Sequence, residues 1–176
     1  MPLGSDPINS DPINSQPPVA HEDARSGLTS LVTKVYDAES AIGRSDCKYL
    51  FVNAAKDYYG TDQFYWFRDD VTNADKIIDW LKSDYSGAVE ITDMKQVQNY
   101  SNDGRMLVGA MTSQELGDSH GHINIVLPGS AQWSGNWNDW APNGANRGSS
   151  DFLSMSLNHG FVPKPHFYLL PEPTFK

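Results

Sequence analysis

Cys47 is the only cysteine of the 176-residue chain, and it stands where a thiol can become reactive. Ser45 and Asp46 precede it, and both residue types cap helices, so Cys47 is predicted to lie in the first turn of a helix. Backbone N–H groups and the helix dipole favour a thiolate there, which predicts a thiol pKa below the ordinary value of about 8.5. Such a thiolate is the attacking species of cysteine hydrolases. The alternative is that Cys47 is a small core residue, the commonest fate of a free cysteine.

His122 is the candidate base for that thiol. It stands in the stretch Gly-His-Ile-Asn-Ile-Val-Leu-Pro-Gly, where an apolar run of strand length ends at the turn signal Pro128-Gly129. Gly121 lets the backbone approach another element closely. A histidine at the edge of a sheet can meet the start of a helix packed on that sheet, which is the geometry that a Cys–His pair requires.

The sequence His-Gly-His at 120–122 permits a second interpretation, a metal site formed by Asp118, His120 and His122. A zinc site needs three or four ligands at fixed spacing, and a single cysteine adds little to this set. The sequence therefore favours a site without a metal or an organic cofactor, with His120 a surface residue.

The elements that must position Cys47 and His122 change character along the chain. Four helices are predicted from apolar residues at helical spacing, over 22–40, 45–59, 74–82 and 93–100. Strands are predicted from short apolar runs over 106–111, 123–127 and 166–170, with one more near 141–145 inside a long polar loop, 130–148. Helices followed by strands predict an α+β domain with an antiparallel sheet.

Composition and the first residues of the chain narrow the organisation and the partners. The formal net charge of −9 argues against binding nucleic acid or anionic membranes, because phosphate binding needs clustered Lys and Arg. No apolar run approaches the roughly 18–20 residues that span a bilayer, so membrane insertion is not expected. Residues 1–20, in which 6–10 repeat as 11–15, are predicted to be a tag remnant and a linker. A single domain is then predicted over 21–176.

This order of features resembles the NlpC/P60 and CHAP-like branch of papain-fold cysteine peptidases. Within that branch it is similar to peptidoglycan amidase effectors of type VI secretion and to phage cell-wall hydrolases. The matching residues are Asp46-Cys47, Phe51-Val52, Gly104 with 106–109, and 121–129, within a resemblance that spans 45–170. A serine often follows the nucleophile in this family, whereas Lys48 follows it here. The resemblance implies a papain-like fold, with N-terminal helices packed on an antiparallel sheet.

The resemblance also implies a third polar residue that orients the histidine. Asn143 and Asn146 are the candidates, because an amide oxygen can accept a hydrogen bond from the ring N–H if the loop after Pro128-Gly129 folds back. Asn143 is preferred, although both asparagines are equally compatible with turns. The backbone N–H of Cys47 would stabilise the oxyanion.

The function that the resemblance implies is hydrolysis of amide bonds in peptidoglycan stem peptides, by an antibacterial effector or a lysin. Such a protein is expected to be secreted without a cleaved signal, to act in the periplasm or cell wall of a target bacterium, and to have a cognate immunity protein. A cysteine hydrolase of protein isopeptide bonds is a further interpretation.

An alternative of another class is a non-catalytic domain that binds the cell wall or a protein through a Trp-rich loop. The loop contains Trp133, Trp137 and Trp140 among Ser, Gly and Asn, and these rings could equally cover the edge of the core. A second aromatic cluster, 64–67, could line a substrate groove or pack internally.

Overall fold

The computed structural model describes residues 18–60 and 73–173, with side chains described from Gly27 onward. The aromatic cluster 64–67 and residues 1–17 of the predicted tag remnant and linker lie outside these ranges. Residues 18–20, which the sequence assigns to the linker, form the first turn of a helix that begins at Pro18. Proline is favoured at that position because its missing N–H has no partner there in any case.

Five α-helices occur in the described ranges: α1 (Pro18–Ala41), α2 (Cys47–Tyr59), α3 (Ala74–Lys82), α4 (Met94–Asn102) and the short α5 (Ser113–Leu116). The first four confirm the predicted helices. Helix α2 is followed by Gly60, whose φ of 79° suits a residue without a side chain. Helix α3 begins after Asn73, whose side chain accepts a hydrogen bond from the Lys76 N–H at 3.0 Å.

The described residues also contain eight strands: β1 (Val89–Glu90), β2 (Leu107–Met111), β3 (His122–Val126), β4 (Gln132–Ser134), β5 (Asp139–Ala141), β6 (Asn143–Asn146), β7 (Phe152–Ser156) and β8 (His166–Leu169). Six of them form one sheet in the order β1-β8-β2-β3-β6-β7, and every neighbouring pair is antiparallel. Strands β4 and β5 form a separate hairpin. The fold is therefore α+β with an antiparallel sheet, as predicted.

The six-stranded sheet is buried on both faces, because residues of its strands alternate between two cores. Val108 and Ala110 face a core that is completed by buried residues of α1, α2 and α3. Leu107 and Met111 face a second core, to which α4, Trp137 and Phe161 contribute. The packing of the N-terminal helices against β3 fixes where the start of α2 lies relative to the start of that strand.

The region predicted as a loop with one strand is more ordered than the sequence indicates. The predicted strand at 141–145 is instead two strands, β5 and β6, which meet at Pro142. Proline has no N–H to donate to a ladder, so it separates the two pairings. Strand β7 is not predicted at all, because three of its five residues are serine or exposed methionine.

No helix within the two described ranges is both long enough and apolar enough to span a membrane.

Candidate active site

Cys47 is the first residue of α2, as predicted. Asp46 occupies the N-cap position but makes no side-chain cap hydrogen bond. One turn further along the helix Leu50 and Phe51 are buried in the core between the helices and the sheet, and after two turns Ala54 is buried there as well. Their packing holds the helix start against the sheet, and it leaves the Cys47 side chain half-buried at the rim of that core.

The environment of the Cys47 sulfur raises its pKa, so the predicted lowering is wrong. Burial is the largest cause, since a thiolate loses solvation there, and the carboxylate of Asp46 adds to it. Backbone hydrogen bonds with Ile123, Lys48 and Cys47 itself act in the opposite direction. A group that lowers a thiol pKa stabilises the thiolate, so these contacts are N–H donors. Cys47 is therefore a thiol at neutral pH, and a nucleophilic role would need a base that removes its proton.

His122 is the first residue of β3 and pairs with Met111 of β2. Gly121 precedes it, and the absence of a side chain there lets the start of β3 lie close to Asp75 and Met111. A Cβ atom at that position would lie 2.6 Å from Asp75 Oδ1 and 3.1 Å from Met111 O. The predicted close approach of the backbone is confirmed. Ile123, whose backbone contacts the Cys47 sulfur, directly follows His122, so the start of α2 and the start of β3 lie side by side.

Asn146, and not Asn143, holds the imidazole. Asn146 Oδ1 lies 2.7 Å from His122 Nε2. Asn143 instead donates from Nδ2 to Pro128 O and to Ser154 Oγ, each at 3.0 Å. The preference for Asn143 is wrong because of alternation along β6. Asn143 shares a face with Ala145, which lies in the core under the helices, whereas Asn146 lies on the opposite face, where His122 also points.

The hydrogen bonds of Asn146 fix the tautomer of His122. Asn146 Nδ2 donates to Ser150 O at 2.6 Å, so Oδ1 is the atom directed at the ring and can only accept. His122 Nε2 therefore carries the proton, and Nδ1 is the basic nitrogen when the ring is neutral. Burial lowers the pKa of His122, and the hydrogen bond to Asn146 partly opposes this shift. The ring is consequently neutral at pH 7 and able to accept a proton.

Cys47 and His122 line the same cleft, which has a volume of about 870 Å³. Phe161 forms one wall, with its ring centroid 4.7 Å from that of His122 in an edge-on arrangement. Gly148 covers another side of the imidazole, since a Cβ there would lie 3.3 Å from His122 Cε1. Neither Phe161 nor Gly148 is predicted from the sequence, because neither belongs to a motif and both lie in loops.

In the described part of the chain, no group of three or more His, Cys, Asp or Glu side chains is arranged to hold a metal ion. The His-Gly-His sequence at 120–122 therefore does not form a metal site there. Asp118 and His120 are exposed and line the same cleft as Cys47.

The three tryptophans of the long loop have two different environments. Trp137 is 7% exposed, lies in the second core and donates from Nε1 to Phe161 O at 3.0 Å. Trp133 and Trp140 are paired across the β4–β5 hairpin with an edge-on contact of 5.9 Å between ring centroids. Trp133 is 57% exposed and Trp140 is 37% exposed. One tryptophan therefore supports the cleft wall, and the other two form a small aromatic surface.

Comparison with protein-family models finds no match to this sequence, and comparison with curated proteins finds none either. What the molecule does must therefore be argued from its own residues.

Proposed function

We propose that the protein is a papain-like cysteine amidase that hydrolyses amide bonds in peptidoglycan stem peptides. The observation that carries the proposal is one cleft that is lined by two reactive side chains from distant parts of the chain. Cys47 and His122 line one cleft, and Asn146 fixes the imidazole with Nδ1 as its basic nitrogen. A nucleophile, a base and a residue that orients the base are the components of covalent acyl transfer.

In the first half of the reaction, His122 Nδ1 removes the proton from the Cys47 thiol while the sulfur attacks the substrate carbonyl. The tetrahedral intermediate carries a negative charge on oxygen, and the Cys47 N–H at the start of α2 stabilises it. His122 then gives its proton to the leaving amine, and the carbon–nitrogen bond breaks. The products of this half are a free amine and a thioester on Cys47.

In the second half, neutral His122 removes a proton from water, whose oxygen attacks the thioester carbon. The carbon–sulfur bond breaks, the proton returns to the sulfur, and a carboxylic acid leaves. The raised thiol pKa makes Cys47 depend on this base, because little thiolate forms without it. The lowered pKa of His122 keeps the base available at neutral pH.

The substrate is proposed from the resemblance of the sequence to peptidoglycan amidases and from the character of the cleft. Asp46, Asp118 and Lys48 line it, so it carries charges of both signs. Stem peptides also carry both carboxylates and amines, which suits such a cleft. The same resemblance leads us to propose secretion without a cleaved signal, action in the periplasm or cell wall of a target bacterium, and an immunity protein as partner.

The test is to incubate the full chain with purified peptidoglycan and to identify the released fragments by mass analysis. We expect fragments with a new amine and a new carboxylate, and none from Cys47→Ala or His122→Ala protein of unchanged circular dichroism. Hydrolysis that survives Cys47→Ala contradicts the mechanism. Intact peptidoglycan, together with a Cys47 that reacts with iodoacetamide only after unfolding, contradicts the function.

A second candidate function is favoured by the exposed aromatic surface of the β4–β5 hairpin. Trp133 and Trp140 present apolar rings among exposed polar residues, as in a module that binds a cell-wall glycan without catalysis. In that case the protein sediments with insoluble peptidoglycan, and Trp133→Ala abolishes this binding while Cys47→Ala does not. Release of amide-cleaved fragments by the wild-type chain alone would contradict a purely binding role.

A further inference from the structure

Arg147, the residue after Asn146, is 5% exposed and contacts the last turns of α1. Its Nη2 donates to Tyr36 O at 2.6 Å and to the hydroxyl oxygen of Ser40. The guanidinium also lies over the Tyr36 ring, 3.5 Å from the ring centroid. A cation suits this place, because the carbonyl groups at the end of a helix carry partial negative charge. The side chain thus ties the end of β6 to the first helix.

The loop that follows, 147–151, is built around the same arginine. Asp151 Oδ2 lies 3.3 Å from Arg147 Nη1, and Asp151 Oδ1 accepts from the Gly148 N–H at 3.0 Å. Ser150 O accepts from Asn146 Nδ2. Asn146 and Gly148, which both lie against His122, stand on either side of Arg147. Each is hydrogen-bonded to the loop, Asn146 to Ser150 O and Gly148 to Asp151.

Stability alone is a poor reason to bury this arginine. Its Nε is buried without a hydrogen-bond partner, and an unpaired buried polar group costs free energy. A well-packed apolar side chain often serves stability as well as a buried ion pair does, or better. What an apolar residue could not do is bind a helix end and a loop carboxylate at the same time with a rigid planar group.

From these contacts we infer that Arg147 is a positioning residue, which anchors the 147–151 loop to α1 and so holds Asn146 and Gly148 against His122. The inference rests on the proposed function only where turnover is measured. The position of the imidazole is a property of the protein without substrate.

The experiment compares Arg147→Lys with Arg105→Lys in the full chain. Arg105 is a matched control, because it also joins a carbonyl to a carboxylate, Leu170 O at 3.0 Å and Glu172 at 3.3 Å, and it lies before β2, at the opposite end of that strand from Met111 and His122. Lysine keeps the charge and loses the planar fork in both variants. The His122 ring is titrated by NMR, and the melting temperature and hydrolysis rate are measured in parallel.

We expect Arg147→Lys to move the His122 titration midpoint upward toward its ordinary value, because a loosened loop exposes the ring and burial is the main cause of the lowered pKa. Arg105→Lys should leave that midpoint unchanged even if it melts earlier. For hydrolysis we expect a loss in kcat on the order of 10- to 100-fold for Arg147→Lys alone, as for other remote changes that misplace a catalytic group. Asp151→Asn, an exposed change in the same loop, should also raise the His122 titration midpoint and lower kcat. This variant provides the test if Arg147→Lys fails to fold.

Equal effects of Arg147→Lys and Arg105→Lys, with the His122 titration unmoved in both, would overturn the inference and leave Arg147 a structural residue. The titration decides this even if the protein hydrolyses no peptidoglycan. A shifted midpoint in a protein without amidase activity would support the positioning role and contradict the proposed function separately.

Discussion

His122 and His166 begin two strands that flank the same neighbour, β2, yet their surroundings differ in every respect that matters for catalysis. His122 is opposite Met111 and His166 is opposite Ala110, so both lie at one end of the sheet. His122 is half-buried, hydrogen-bonded to a neutral amide, and lines the same cleft as the Cys47 thiol. His166 is exposed, with Glu90 Oε1 at 2.8 Å from Nδ1 and Glu115 Oε2 at 3.1 Å from Nε2. Both nitrogens of His166 are engaged by carboxylates, whereas the Asn146 contact engages Nε2 of His122 and leaves Nδ1 for the proposed role as a base.

The comparison teaches that the position of a histidine in a sheet does not give it a function, and that its partners do. An amide oxygen fixes one tautomer without neutralising a charge, so the other nitrogen stays basic. Two carboxylates instead contact both ring nitrogens of His166, and Lys82 joins this surface cluster through Glu115 at 3.5 Å.

The largest expected effect separates the two histidines directly. His122→Ala and Cys47→Ala should each lower kcat on the order of 10⁴- to 10⁶-fold, as loss of the base or nucleophile does in other covalent hydrolases. His166→Ala should leave kcat within about twofold, because changes at exposed positions away from the reacting groups have small effects. Steady-state rates of peptidoglycan solubilisation measure all three. A His166→Ala protein as inactive as His122→Ala would remove the basis of the comparison.

The next effect concerns the amide that orients the base. Asn146→Ala should lower kcat on the order of 10- to 100-fold, because the ring loses the partner that fixes its tautomer and direction. Asn143→Ala is the matched control. It removes an asparagine from the same strand, but this side chain binds Pro128 O and Ser154 Oγ and not the His122 ring. Its kcat should stay close to that of the wild type. The opposite ranking would show that Asn143 is the functional residue.

A smaller effect is expected in the pH dependence. The folded protein lowers the pKa of His122 below the ordinary 6.5, so the neutral base persists to lower pH than a free histidine would. The acid limb of kcat/KM should therefore have its midpoint below pH 6.5. In the same protein, the rate of Cys47 alkylation by iodoacetamide should still be rising above the ordinary thiol pKa, because burial raises the pKa of that thiol. A thiolate plateau at neutral pH would contradict the neutral resting pair.

The lowered His122 pKa also affects folding. The unfolded chain binds a proton at this residue before the folded protein does, so the free energy of unfolding should fall as the pH drops through 6.5. His122→Gln, which cannot titrate, should flatten this part of the stability curve measured by urea unfolding.

The smallest expected effect is at the surface cluster. His166→Gln should change the free energy of unfolding by less than about 1 kcal/mol, because ion pairs between half-exposed groups contribute little. Thermal or urea unfolding measures it, and added salt should narrow the difference further. A loss of several kcal/mol would mean that the cluster holds β1, α5 and β8 together.

Local signals in the sequence predict much of this arrangement. The ends of three elements are predicted almost to the residue. Gly60 marks the end of α2, Asn73 marks the start of α3, and the apolar run after His122 marks β3. They also give Cys47 at a helix start and His122 at a strand start. These features depend on neighbours a few positions apart, and such patterns are read directly from sequence.

The partner of His122 could not be predicted in the same way. A tight turn sets the register of a hairpin, but β3 and β6 are joined by a long segment that contains the β4–β5 hairpin, so no turn fixes which residue faces which. Arg147 and Phe161 are further examples, because their roles come from contacts with α1 and His122 across large sequence separations. Burial of the thiol, which reverses its predicted pKa direction, is likewise a property of the assembled core.

The order of strands in the main sheet has a consequence for how the chain reaches its active form. Strand β8 is the last strand of the described residues, and it lies between β1 and β2. Until it inserts, a newly made chain exposes the unpaired edges of both neighbours, and such edges promote aggregation. Pairings between distant segments also form slowly. During synthesis the chain should therefore form an incomplete, aggregation-prone sheet. We expect it to depend on chaperones until 166–169 have left the ribosome and paired with their neighbours.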